Sequence, residues 1–154
     1  MKLQPYLVFL LLTIKLSVAQ NLNMIIQVNG ELCVSGVTNS RIAIEFLDGT
    51  KDEIAVHYVP GNLIVTVNQL EKIQADSVSR ISFLFEKPYE KGKFIEYSFF
   101  EIEMKKYHFK KDYLILHIYD FKDRRYRRKY GCLTEDEFIY EFEFRGSGTL
   151  ISCK

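Results

Sequence analysis

The chain has 154 residues, with 21 lysines and arginines against 20 aspartates and glutamates. The charges nearly cancel, so their placement along the chain carries more information than their sum. Aromatics make up 14% of the residues while tryptophan is absent and proline scarce, a composition that favours β-structure over helix or disorder.

The N-terminus has the layout of a secretory signal. Lys2 supplies a positive start, residues 6–14 form an apolar run, and Ser17-Val18-Ala19 offers the small residues that a signal peptidase needs, which places cleavage after Ala19 or Gln20. The run is about half the roughly 20 residues needed to cross a bilayer, and Lys15 closes it. No later segment is long or apolar enough to span, so residues 1–20 read as a signal peptide and 21–154 as a secreted, extracellular domain that is not transmembrane. Without Lys2 and Lys15 the basic count falls from 21 to 19 against 20 acidic residues. The remaining chain suffices for one domain that buries about two-thirds of its unfolded surface.

Three cysteines, Cys33, Cys132 and Cys153, lie in the mature chain. An oxidising compartment predicts one disulfide and one leftover thiol, and the sequence leaves all three pairings open. Cys132 and Cys153 flank the last two predicted strands, which favours their pairing. The odd cysteine then serves as a buried hydrophobe or links two chains into a disulfide-bonded dimer.

Taken in order, residues 24–34 alternate, with Met24, Ile26, Val28, Leu32 and Val34 on one face, and Gly30 inside the pattern predicts a bulge or bend. Residues 41–47 form a second strand with Ile42, Ile44 and Phe46 inward. Asp48-Gly49 marks a turn, residues 53–59 a third strand, Pro60-Gly61-Asn62 a turn and residues 63–67 a fourth strand. Residues 69–77 read as a single helical turn or a loop. Residues 80–85 are a fifth strand, ended by Lys87-Pro88 and the Lys91-Gly92 turn. In the sixth, 94–105, the apolar parity switches after Phe99-Phe100, which predicts a bulge there. A basic connection leads to a seventh strand, 113–119, with Leu114, Leu116 and Ile118 on one face. Residues 138–144 are an eighth, 145–148 a loose turn, and 149–152 a closing strand. Short strands with turn signals at this spacing point to an antiparallel sandwich or barrel, and the expectation is an all-β, single antiparallel β-sandwich of about eight or nine strands, with an immunoglobulin-like arrangement as one plan.

The opening also has a family look. Val28-Asn29-Gly30-Glu31-Leu32-Cys33, followed by Ile42-Ala43-Ile44-Glu45-Phe46 before Asp48-Gly49, resembles the start of the nematode-type transthyretin-like secreted proteins. Leu114, His117 and Tyr119 resemble a later strand of that family, with a basic segment ending in cysteine after it. Cys33 sits one residue early for the pattern, and no histidine-cysteine pair follows the later strand. The resemblance implies a transthyretin-like sandwich and a carrier or bridging role rather than catalysis.

The sharpest chemical feature is the basic run Lys122, Arg124, Arg125, Arg127, Arg128 and Lys129, diluted by Asp120 and Asp123 and interleaved with Tyr126 and Tyr130. Outside cells such a loop meets sulfated glycans, anionic lipid head groups and acidic protein surfaces rather than nucleic acid. Binding there is Coulombic and salt-dependent, and arginine adds a bidentate fork for sulfate or phosphate. The competing reading is a solvated loop partly neutralised by Glu135, Asp136 and Glu137. Arg125-Tyr126-Arg127-Arg128 also fits the cleavage pattern of furin-like convertases, which predicts a processed signalling ligand if the segment is exposed and flexible. His57, His108 and His117 show no metal-ligand spacing, so no metal or other cofactor is expected. No serine sits in a nucleophile elbow, and the paired glutamates are the outer side of strands, so an enzyme is not expected. Phe83, Phe85, Phe94, Tyr97, Phe99, Phe100, Phe138, Tyr140, Phe142 and Phe144 either fill the core or line a lipophilic carrier pocket.

Overall fold

Residue alternation in the first strand sets the layout of the computed structural model, which describes residues 19–34, 37–91, 93–131 and 138–147. β1 (Ala19–Val28) buries Leu22, Met24, Ile26 and Val28 on one face. The two-residue turn Asn29-Gly30, with φ of 55° and 80°, returns the chain into β2 (Glu31–Leu32). Residues 24–34 are therefore a hairpin, not the single bent strand expected, because asparagine and glycine tolerate the left-handed conformations such a turn demands.

The next strands are β3 (Thr38–Phe46), β4 (Lys51–Ala55), β5 (His57–Val59) and β6 (Gly61–Thr66). The expected third strand is split at Val56: β4 pairs with β3 in one sheet, and β5 pairs with β6 in the other. A two-turn helix follows, α1 (Val67–Gln74), where a single helical turn or a loop over 69–77 was expected. The Thr66 hydroxyl accepts the Gln69 N–H and the Gln69 side chain accepts the Thr66 N–H, a reciprocal cap that stabilises so short a helix, and Ile73 seals it onto the core.

β7 (Val78–Lys91) and β8 (Phe94–Met104) form the longest hairpin, in continuous register from Ile81↔Met104 to Lys91↔Phe94. Pro88 lies inside β7 rather than ending it. Its position falls beyond the last β3 pair, Thr38↔Glu86, where the strand needs no donor on that side. The expected bulge at Phe99-Phe100 is absent: Ser98, Phe100, Ile102 and Met104 point inward throughout, and Ile95, Tyr97 and Phe99 point to solvent. A 3-10 helix (Lys106–Lys110) connects to β9 (Leu114–Asp120), then α2 (Arg124–Tyr130) leads towards β10 (Phe138–Glu143). The predicted closing strand 149–152 and residues 1–18 of the predicted signal peptide 1–20 fall outside the described residues, while its last two residues, Ala19 and Gln20, lie in β1.

The sheets are β10-β9-β1-β6-β5, with β2 attached to β1, and β4-β3-β7-β8. This is the predicted all-β sandwich, with ten strands among the described residues and, among them, one departure from antiparallel order: β1 runs parallel to β9, from Met24↔Leu114 to Val28↔Ile118. Its core joins Met24, Ile26, Leu114, Leu116 and Ile118 from one sheet to Ile42, Ile44, Phe83, Phe85, Phe100 and Ile102 from the other. Each fully buried side chain of this size contributes about 1.5–3 kcal/mol.

Candidate anion-binding site

β9 delivers the basic segment to one end of the sandwich, and the Asn29 turn holds it there. The Asn29 N–H donates to the Ile118 carbonyl at 2.8 Å. The Asn29 side-chain oxygen accepts the Asp120 N–H at 2.8 Å, and its amide donates to the Asp120 carbonyl at 3.3 Å. Beyond Asp120 the strand ends at buried Phe121, and Asp123 caps a helix by accepting the Arg125 N–H at 2.9 Å. Gly131, at φ 69°, closes the helix and donates its N–H to the Arg127 carbonyl at 3.0 Å. The predicted basic loop is thus a two-turn helix between two caps.

Helical spacing sorts its side chains. Tyr126 and Tyr130, four apart, face the sheet. The Tyr126 hydroxyl donates to the Asn29 carbonyl at 2.6 Å, and Tyr130 packs on Tyr119 and Phe121 with ring centroids 4.9 and 6.4 Å apart. Arg124, Arg125, Arg128 and Lys129 are exposed, while Arg127 is half-buried. The interleaved tyrosines therefore anchor the helix, and four cations share its solvent side. Arg125 is partly spent: its guanidinium meets the Asp123 carboxylate at 2.7 Å and, with the N–H bonds there, holds that carboxyl below its usual range.

Lys122 goes elsewhere. Its ammonium donates to the Ser98 hydroxyl at 3.1 Å and lies 5.1 Å over the Tyr89 ring. Ser98 in turn donates to the Asp120 carboxylate at 3.1 Å, and Tyr89 donates to Glu96 at 2.6 Å. Lys122, Ser98, Asp120 and Tyr89 border a cleft of about 210 Å³ between the β7–β8 hairpin and the start of α2, which Lys87 and Arg125 also line. The structure thus brings Lys87 close to the predicted cations Lys122 and Arg125, with Glu31, Asp120 and Asp123 among them.

Sequence reasoning missed Asn29, Ser98 and Tyr89 as parts of this site and read Asp120 only as a charge diluting the basic run. Asn29-Gly30 was the available signal, since that dipeptide between alternating strands marks a tight hairpin. The contacts of Ser98 and Tyr89 join distant strands and leave no local trace.

The other expected groups lie apart. Cys33 is buried and free, its thiol pushed up by burial. Cys132 and Cys153 lie outside the described residues, as do Glu135, Asp136 and Glu137. Arg125-Tyr126-Arg127-Arg128 is helical, so cleavage after Arg128 requires α2 to unwind. His57 is exposed, His117 pairs with Glu143 at 3.0 Å, and buried His108 accepts the Lys105 N–H at its Nδ1 at 3.2 Å. Of the aromatic set, Phe83, Phe85, Phe100 and Phe138 stack in series at 5.0–5.3 Å inside the sandwich. Tyr140, Phe142 and Phe144 instead border an open cleft of about 580 Å³ with Tyr107 and His108. Among the described residues no helix is long and apolar enough to cross a membrane. No family model, curated protein or solved structure matches the chain.

Proposed function

We propose that the chain is a secreted extracellular binding protein, without catalytic activity, that attaches to an anionic surface or partner through the basic segment 122–129. The observation that carries this reading is the anchoring of α2: Tyr126 and Tyr130 fix one side, and Arg124, Arg125, Arg128 and Lys129 are left exposed on the others. A pre-formed helix presents its cations without the ordering cost that a flexible loop pays on binding. Arginine forks then offer bidentate contacts to sulfate, phosphate or carboxylate oxygens. Secretion rests on the signal-like residues 1–20, and a place among transthyretin-like secreted proteins rests on residues 28–33 and 42–49. Within the same proposal Cys33 remains a core thiol, leaving Cys132 and Cys153 to pair with each other.

Retention on immobilised heparin and on vesicles containing anionic lipid tests the reading. The secreted protein should be held at low salt and released as salt rises. Reversing Arg124, Arg128 and Lys129 to glutamate, which leaves both anchoring tyrosines in place, should abolish retention. Unchanged retention of that variant would refute the assignment. A preference for heparin or for vesicles tells glycan from lipid as the source of the anion.

A second reading has its own observation. The open cleft beside Tyr107, Phe142 and Phe144 offers aromatic faces at the surface, so a lipophilic ligand carried by this protein would sit there rather than among the stacked core rings.

A further inference from the structure

Among the described residues β8 ends its sheet and pairs only with β7. The Glu103 N–H donates to the Tyr140 hydroxyl at 3.0 Å rather than to β7. In an antiparallel pair, residues alternate between facing the partner strand and facing away. Glu101, Phe99, Tyr97 and Ile95 share the parity of Glu103, so their backbone donors and acceptors point out of the sheet edge. The side chains of this same set stand on the outer face, where Ile95 is 64% exposed, Tyr97 53% and Phe99 49%. Natural sheets protect such an edge with charge, proline or a cover. None of the outward-facing residues from Ile95 to Phe99 is charged.

The order of residues along this edge names what fits it. When two copies of β8 run antiparallel with Tyr97 opposite Tyr97, Ile95 of each copy stands opposite Phe99 of the other. Just before the strand, Lys93 of the β7–β8 turn then comes alongside Glu101, twice by symmetry; within its own molecule Glu101 meets Arg80 at 3.6 Å. Apolar residues meet at the centre and opposite charges close both ends. Centring on Phe99 instead puts Tyr97 against Glu101 and Ile95 against Glu103. Centring on Glu96 opposes two carboxylates, and centring on Ser98 sets Ile95 against Glu101. Of these four registers, only the first matches apolar to apolar and cation to anion. We propose that this protein associates with a second copy of itself by antiparallel pairing of β8 about Tyr97, making one continuous sheet from two molecules. The contact is isologous, as a two-fold dimer requires. It stands independently of the anion-binding reading, although it would set two α2 helices in one particle and raise avidity for an extended polyanion.

Sedimentation of the full secreted protein over a concentration series reads the association directly. The native chain should move from monomer to dimer as concentration rises. Tyr97→Lys, a change at an exposed site, should weaken the dimer by about tenfold or more, with circular dichroism confirming an unchanged fold. Charge exchange tests the register itself: Lys93→Glu and Glu101→Lys should each weaken association, and the double variant should restore it. A monomer at every concentration would overturn the proposal, as would a dimer indifferent to Tyr97→Lys. Failure of the double variant to recover would overturn the register. Attachment of the monomer to vesicles that Tyr97→Lys removes would reassign the apolar face to a membrane.

Discussion

His108 shows how burial converts an ordinary side chain into a pH-dependent element. Its ring packs against Tyr107 and Phe142 at 4.4 and 4.2 Å, with Phe144 next to it and the cations Lys105 and Lys111 facing it. Burial, then Lys111 and Lys105, push its pKa down from 6.5 to about 4. The unfolded chain therefore takes up a proton near pH 6.5, whereas the folded chain resists until about pH 4. Between those values the unfolded state binds more protons, so stability falls as pH falls. The loss should be on the order of 1–2 kcal/mol once solvent screening is allowed for. Denaturant unfolding at pH 7, 5.5 and 4.5 should show it, and His108→Gln should remove this part of the slope. An unaltered slope in that variant would mean that another group carries the pH dependence.

The elements divide by how much of their cause is local. Inward sets such as Ile42/Ile44 and Leu114/Leu116/Ile118 follow from alternation alone, because one face of each strand meets a core. Alternation is the same for parallel and antiparallel neighbours, so the β1–β9 pairing, which joins residues 90 apart in the chain, could not be read from it. In β8 both faces carry aromatics. The parity switch that suggested a bulge instead reflects a hairpin that continues past the end of β3, where an outward apolar residue meets no opposing rule. The α2 region held legible signals in Asp123, the Tyr126/Tyr130 spacing and Gly131, but its charge density argued for a loop. If the Asp123 cap holds the helix, Asp123→Ala should cost about 1 kcal/mol. Hydrogen exchange should speed up across residues 124–130 while the strands of the sandwich keep their protection. Uniform acceleration across all strands would contradict a local cap.

For the whole molecule, the sandwich works as a rigid base that sets a small cationic helix at one end. Sheet and core tie β1, β9 and the Asn29 turn together, and the turn in turn holds Tyr126. Fold class was legible because strand spacing and composition are properties of the chain itself. The candidate site was legible only as a run of cations; the clamp by Asn29 and the cleft shared with Ser98 and Tyr89 required tertiary structure. Attachment by exposed cations has a distinctive physical signature, since screening shortens the reach of charge from about 30 Å at 0.01 M salt to about 8 Å at 0.15 M. The most direct test is the affinity for a sulfated polyanion measured across that salt range. The native chain should weaken steeply with salt, and the Arg124, Arg128 and Lys129 reversal should bind weakly with a nearly flat dependence. An affinity indifferent to salt, or an equally steep dependence in the reversed chain, would contradict attachment through α2.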